Sequence, residues 1–323
     1  MKRFQNKVAG SRLTLPVAAV YATLIWLAAG MVSAKSWLPF LLMALSTYLM
    51  AEINNRNAII RIRSRMMSVS FLFLTVMGIG MGYGVREAVV QLCCLVFLLF
   101  IFHAYQDKEA VGLVFYAFMS IGIASIAAVQ ILWLLPLLVL LVARPLYAMS
   151  AKGASAILLG IATPYWIMLP YLIYIGETGA MADHFAPLAD AGQFFDYSVV
   201  TLGLLVEYVI ILGLAVTGWV HYIRTAYKDK IRTRMFLNTF AAISFAVMLL
   251  ILATPVSAHF LMPVLVVGVS PLAAHFFTLT GTRLSDYTFM AVIFIVVMIT
   301  LTGIWTDWLD IPLGLDRIHI VVE

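Results

Sequence analysis

The sequence predicts an all-α, polytopic transmembrane bundle of about eleven helices. Three observations carry that expectation. Of 323 residues, 64% are hydrophobic. Only 11% are charged, against about 25% in soluble globular domains, too few to cover a soluble surface. The apolar residues come in runs of about 20, the length of a helix that crosses a hydrocarbon core, and not in the alternation of a barrel strand. Composition thus excludes a soluble enzyme, a disordered chain and a disulfide-stapled domain.

The expected helices lie near residues 13–32, 37–51, 66–85, 88–105, 111–127, 130–146, 154–175, 198–222, 235–254, 260–280 and 287–305, with a short outer tail at 306–323. The first follows a basic segment and precedes Val32-Ser33-Ala34, which imitates a cleavable signal sequence. Its apolar stretch is longer than the usual 7–15 residues, so it is expected to stay as an uncleaved span. Helix 2 runs into the polar loop Glu52–Arg65, and helix 3 ends in Gly78-Ile-Gly-Met-Gly-Tyr-Gly84. That run looks like a potassium filter, but its glycines close an ordinary helix and read as small-residue packing positions. Helix 4 holds Cys93 and Cys94, adjacent thiols expected to behave as small buried hydrophobes. Ala110–Ala143 has 34 residues without a charge. As one helix it would measure about 51 Å, against a core of about 30 Å. It is therefore split near Ala127–Gln130 into helices 5 and 6. Prolines are expected to break helices 6, 7 and 10 at Pro136, at Pro164 and Pro170, and at Pro263 and Pro271. Thr163-Pro164-Tyr165-Trp166 adds two rings with polar tips. Trp37, Trp219, Trp305 and Trp308 fall near helix ends, as interfacial residues do.

The cations support the split. With eleven spans and a cytoplasmic N-terminus, 17 of the 20 Lys and Arg residues are cytoplasmic and only Lys35, Arg86 and Arg317 are outside. With ten spans the same cations divide ten against ten. The positive-inside rule selects eleven, with the C-terminus on the periplasmic side. The net charge of +5 is then a topological feature and no nucleic-acid footprint.

Few residues offer chemistry. Glu207 sits ten residues into an uninterrupted apolar run, where a carboxylate is costly and should face the bundle interior. It is a candidate proton, cation or polar-substrate contact, with His275 as a conceivable partner. The alternative is a neutral carboxyl hydrogen-bonded to a neighbouring helix. Arg56, Arg61 and Arg65 in the first polar loop, and Arg232 and Arg234 in Tyr227–Arg234, are candidates for lipid headgroup or other phosphate contacts. If the first loop is helical, Arg61 and Arg65 share a face. Their ordinary reading is topological, holding loops on the cytoplasmic side beside anionic lipid. The longest outer loop, Gly176–Tyr197, carries Asp183, Asp190 and Asp196, with His184 beside the first. Carboxylates there could serve a transferase, although a solvated loop explains them as well. No metal-ligand spacing, cofactor motif or catalytic signature is present, so no metal or cofactor is expected.

The polar Asn54–Asn57 loop, the stretch around Gly122-Ile-Ala-Ser125, Arg144-Pro145 and Gly160-Ile-Ala-Thr-Pro-Tyr165 resemble, in their order, an uncharacterised family of inner-membrane proteins of Gram-negative bacteria. The resemblance implies a bacterial inner membrane and transfers no functional residue. Three functions are compatible with these residues. One is a non-enzymatic envelope component with membrane-protein partners, favoured by the lack of catalytic motifs. The second is a transporter or lipid translocase using Glu207. The third is a glycosyltransferase-like enzyme acting on a lipid-linked substrate at the outer face. The expected topology is open to a direct check: an alkaline phosphatase reporter fused at Asp190 should be active, and one fused at Lys228 silent; the reverse pattern defeats the assignment.

Overall fold

The structure is a computed structural model that describes residues 3–305 and residue 311. Lys2, Trp308, Arg317 and the tail at 306–323, apart from Ile311, lie outside the described residues. The described chain is all-helical. All eleven expected segments are helical. Six helices are long and apolar enough to cross a membrane, or seven if one bent pair counts as a single span. The chain is therefore membrane-embedded in character.

The first two helices form that bent pair. The short α1 (Phe4–Gly10) turns by 93° into α2 (Thr14–Ala28). Gln5 fixes α1 in place: its backbone N–H donates to Asp286 Oδ1 (2.8 Å), and its buried side chain donates to the carbonyl of Phe277 and to Thr280 Oγ1 (2.9 Å). The Phe277 carbonyl belongs to a helix end, where such acceptors lack helical donors. Then α3 (Trp37–Asn57) carries its helix six residues beyond the apolar run, until Ala58 takes a left-handed conformation at φ 47°. Ala58–Arg65 is not helical. Arg61 and Arg65 consequently do not share a helix face, contrary to the conditional expectation. Asn54 stabilises the turn, accepting from the Ile60 N–H (3.2 Å) and donating to the Ser64 carbonyl (3.2 Å).

The short α4 (Met66–Met77) continues as a tight 3₁₀ turn over Gly78–Met81. Gly82 then adopts φ +87°, a conformation that favours glycine. After it α5 (Val85–His103) buries Cys93 and Cys94 side by side, both as free thiols. The long uncharged stretch does divide: α6 (Val111–Ala127) stops where Ala128 becomes extended, and a 3₁₀ turn over Val129–Leu134 leads into α7 (Leu135–Ala143). Pro136 lies in the first turn of α7, where its missing N–H costs nothing. The expected break there is a helix start. Pro164 and Pro170 sit within α8 (Ala151–Ile175), and Pro263 and Pro271 within α12 (Ala258–Leu279), and both helices run on through them. The stretch Gly176–Tyr197, expected to be a loop, holds a further helix, α9 (Gly179–Ala189). The remaining elements are α10 (Leu202–Thr225), α11 (Ile231–Ala253) and α13 (Arg283–Trp305).

At the centre is α12, with 18 of its 22 residues buried. It packs against α4, α5, α10 and α11, and α1 crosses its C-terminal end. Two glycines allow the closest approaches. A methyl on Gly268 would lie 3.0 Å from Ser244 Cβ of α11, and one on Gly218 of α10 would lie 2.9 Å from the Leu272 carbonyl carbon. A second tight seam joins α6 to α8. There a Cβ on Gly160 would sit 2.7 Å from the Phe115 carbonyl oxygen, and one on Gly122 would sit 2.8 Å from that of Ile161. Ser125 and Tyr165 hydrogen-bond across the same seam (2.6 Å). Backbone cannot yield as a flexible side chain does. Gly160→Leu should therefore cost about 1–3 kcal/mol or more of stability, read as a lower melting temperature in detergent, while Gly179→Leu, which meets open space, should leave it unchanged.

Candidate functional site

Glu207 lies in the second turn of α10, on the face turned to α12 and the end of α4. It is 5% exposed. It faces a small cavity of about 30 Å³, enough for one or two water molecules. The walls come from four helices: Thr75 and Gly78 at the end of α4, Gln91 and Glu87 on α5, Glu207 on α10, and His259 and Pro263 on α12, with Tyr83 closing one side. No Lys or Arg lines it. Four of the other polar side chains are held in place. The Tyr83 hydroxyl donates to Gln91 Oε1 (2.6 Å), and Gln91 Nε2 donates to Thr75 Oγ1 (3.0 Å). Glu87 Oε2 accepts the Gly84 N–H (3.0 Å), as an acidic residue at a helix N-terminus can. Pro263, without an N–H, leaves the His259 carbonyl lacking its helical donor beside the cavity.

The glycine run makes room for this arrangement. A Cβ at Gly78 would approach Glu207 Oε1 to 3.3 Å. The run thus gives the carboxyl its space, in addition to the tight turn at Gly82. Glu87, Tyr83, Gln91 and His259 were not singled out from the sequence. They stand near helix ends in ordinary-looking positions, and only the packing of α4, α5, α10 and α12 gathers them.

His275 is not the partner of Glu207. It lies near the opposite end of the bundle, where its ring packs against His221 of α10 (centroids 5.3 Å). His221 is fourteen residues beyond Glu207, about 21 Å along a helix. His275 Nε2 pairs instead with Asp229 Oδ2 at 3.0 Å, both side chains being almost completely buried. Arg61 Nη1 approaches the other oxygen, Asp229 Oδ1, at 3.7 Å, and also reaches the Lys228 carbonyl (3.5 Å). His275 Nδ1 and His221 Nε2 are buried without a hydrogen-bond partner among the described residues. Asp229 thus ties the α10–α11 loop to α12 and, through Arg61, to the loop after α3. The sequence hid it as a single acid between Lys228 and Lys230.

The other basic candidates disperse over the same end. Arg56 pairs with Glu52 and meets His103 Nε2 (3.2 Å). Arg65 donates to the Arg12 carbonyl (3.1 Å). Arg232 donates to Asn57 Oδ1 (3.0 Å) and lies over the rings of Tyr105 and Phe236. Arg234 offers its carbonyl to the Tyr222 hydroxyl (3.0 Å). These contacts tie loops together as well as displaying charge. The acids of Gly176–Tyr197 do not converge either. Asp183 is exposed on α9, Asp190 accepts the Gly192 N–H (2.8 Å), and Asp196 is buried, accepting the Ser198 hydroxyl (2.5 Å). No group of three or more His, Cys, Asp or Glu that could hold a metal ion occurs among the described residues.

A second, larger hollow opens laterally. It is an apolar groove of about 530 Å³ between α2 and α13, backed by α4, α10 and α12 and crossed at one end by α1. Leu74 of α4 lines both this groove and the Glu207 cavity. The chain matches no family model, no curated protein and no solved structure.

Removing Asp229 while leaving its buried partner should be costly. Asp229→Ala is expected to destabilise by about 3–5 kcal/mol, whereas Asp183→Ala should be neutral. Urea or thermal unfolding in detergent separates the two outcomes, and equal stabilities would show that the Asp229 pair contributes nothing.

Proposed function

We propose that the protein is a lipid translocase of the membrane, driven by proton movement through Glu207. The observation that carries this reading is the shared wall at Leu74. On one side of it lies a groove open to the bilayer and large enough for a small ligand, within the usual 300–1,000 Å³ of binding pockets. On the other lies a buried carboxyl facing a water-sized cavity with no cation to neutralise it. An intramembrane acid so placed is a candidate proton carrier. Movement of one leucine side chain or of the short α4 would join the two spaces. The distribution of Lys and Arg supports a cytoplasmic location for the end that carries α1 and the Asp229 cluster. A transferase reading loses its support with the scattering of Asp183, Asp190 and Asp196. The scaffold reading draws on no particular feature of the structure.

The test uses proteoliposomes containing a fluorescent phosphatidylglycerol, a membrane-impermeant quencher and an imposed pH gradient. Transfer of label between leaflets should exceed that in protein-free vesicles and depend on the gradient. Glu207→Gln should slow the gradient-dependent component by roughly tenfold or more, while eluting normally on gel filtration. Equal transfer by the variant and the native protein would remove Glu207 from the mechanism, and transfer no faster than in empty vesicles would remove the function.

A further inference from the structure

We infer that the lateral groove is a binding site for an anionic phospholipid, one acyl chain lying between α2 and α13 and the phosphate resting on Lys7 and Arg12. This names the ligand of the translocase proposed above and rests on that reading only for its purpose; the binding itself can be tested alone.

The groove has two chemical parts. Its length is apolar: Val17 and Ala18 from α2, Phe73 from α4, and Val292 and Val296 from α13 line it. A hydrocarbon chain is the occupant such a surface accepts in a bilayer. Its α1 end is polar and basic. Lys7 lines the groove there together with Ser11 and Thr14. Lys7 and Arg12 are both exposed, and neither forms an ion pair among the described residues. Arg65, which donates to the Arg12 carbonyl, and Arg3, which reaches the Gly281 carbonyl, add two more cations at this end. Against these four cations stands Asp286 in the first turn of α13, which accepts the Gln5 N–H and keeps its charge. The groove mouth is therefore strongly net positive, and the complementary headgroup is anionic. A zwitterionic headgroup would bring its own cation into the same cluster.

The fold prepares the site. The 93° bend places α1 across the groove end and not along it. The three bonds of Gln5 hold α1 at the carboxyl end of α12 and the start of α13. Cations on such an in-plane helix lie at headgroup depth, while the groove runs down into the hydrocarbon.

Native mass spectrometry of detergent-solubilised protein, with equal amounts of phosphatidylglycerol and phosphatidylcholine added, reads the inference directly. The native protein should retain one phosphatidylglycerol in preference to phosphatidylcholine. Lys7→Glu with Arg12→Glu should abolish that preference, each lost cation weakening phosphatidylglycerol retention by about fivefold. Val17→Trp, at a lining position 66% exposed, should reduce retention of both lipids by filling the groove. Equal retention of the two lipids by the native protein, or unchanged preference in the double variant, overturns the inference. Selective retention without any leaflet transfer leaves this site standing and defeats the translocase reading.

Discussion

The organisation of the molecule depends on one constraint: α12 is enclosed by protein on nearly every side, so the partners of its polar side chains must come from within the chain, and His275 Nδ1 and Thr278 Oγ1 are left without one among the described residues. Bulk water and lipid headgroups are out of reach of the middle of such a helix, and an unpaired polar group there costs several kcal/mol. The apolar middle meets the demand by close packing, with Gly268 against Ser244 and Gly218 against Leu272. The two ends meet it differently. At one, His275 finds Asp229, which in turn draws Arg61 from a loop far away in sequence. At the other, His259 and Pro263 border a cavity shared with Glu207. The polar chemistry is thus at the ends of a helix whose centre is dry.

This division explains why the surrounding helices can be unequal. The helices outside α12 do not need to be long to be held. The twelve-residue α4 is buried along most of its length because α12, α2 and α3 cover it. By contrast α8 and α13 expose large residues such as Trp166 (78%) and Phe294 (64%), the surface expected to meet lipid. A short helix beside α12 and long ones at the rim leave the lateral opening next to α4. The hollow that reaches toward Glu207 is a result of that mismatch.

Hydrophobic runs made the helices legible, because a helix in a bilayer must be apolar along its span. The break after Ala127 was legible from length alone. Helices that lie outside the apolar core gave no such signal. Phe4–Gly10 and Gly179–Ala189 are short and mixed in character, and residues 52–57 continue α3 through polar sequence. Glu207 announced itself as a lone acid in a hydrophobic run. Its neighbours did not, since adjacency between α4, α5, α10 and α12 depends on long-range packing that leaves no periodic trace. Asp229 was obscured for the opposite reason: in a loop rich in lysine and arginine, an acid reads as ordinary surface charge until the fold buries it.

The two cysteines of the chain, adjacent on α5, are both enclosed by neighbouring side chains. Thiol reagents act on accessible thiolates, so the folded protein presents no thiol to a water-borne electrophile. A single cysteine placed at the groove mouth or on α9 would be the only fast-reacting one, and modification of the native pair would report unfolding. The burial of Cys93 and Cys94 thereby gives the molecule a built-in chemical indicator of its own integrity.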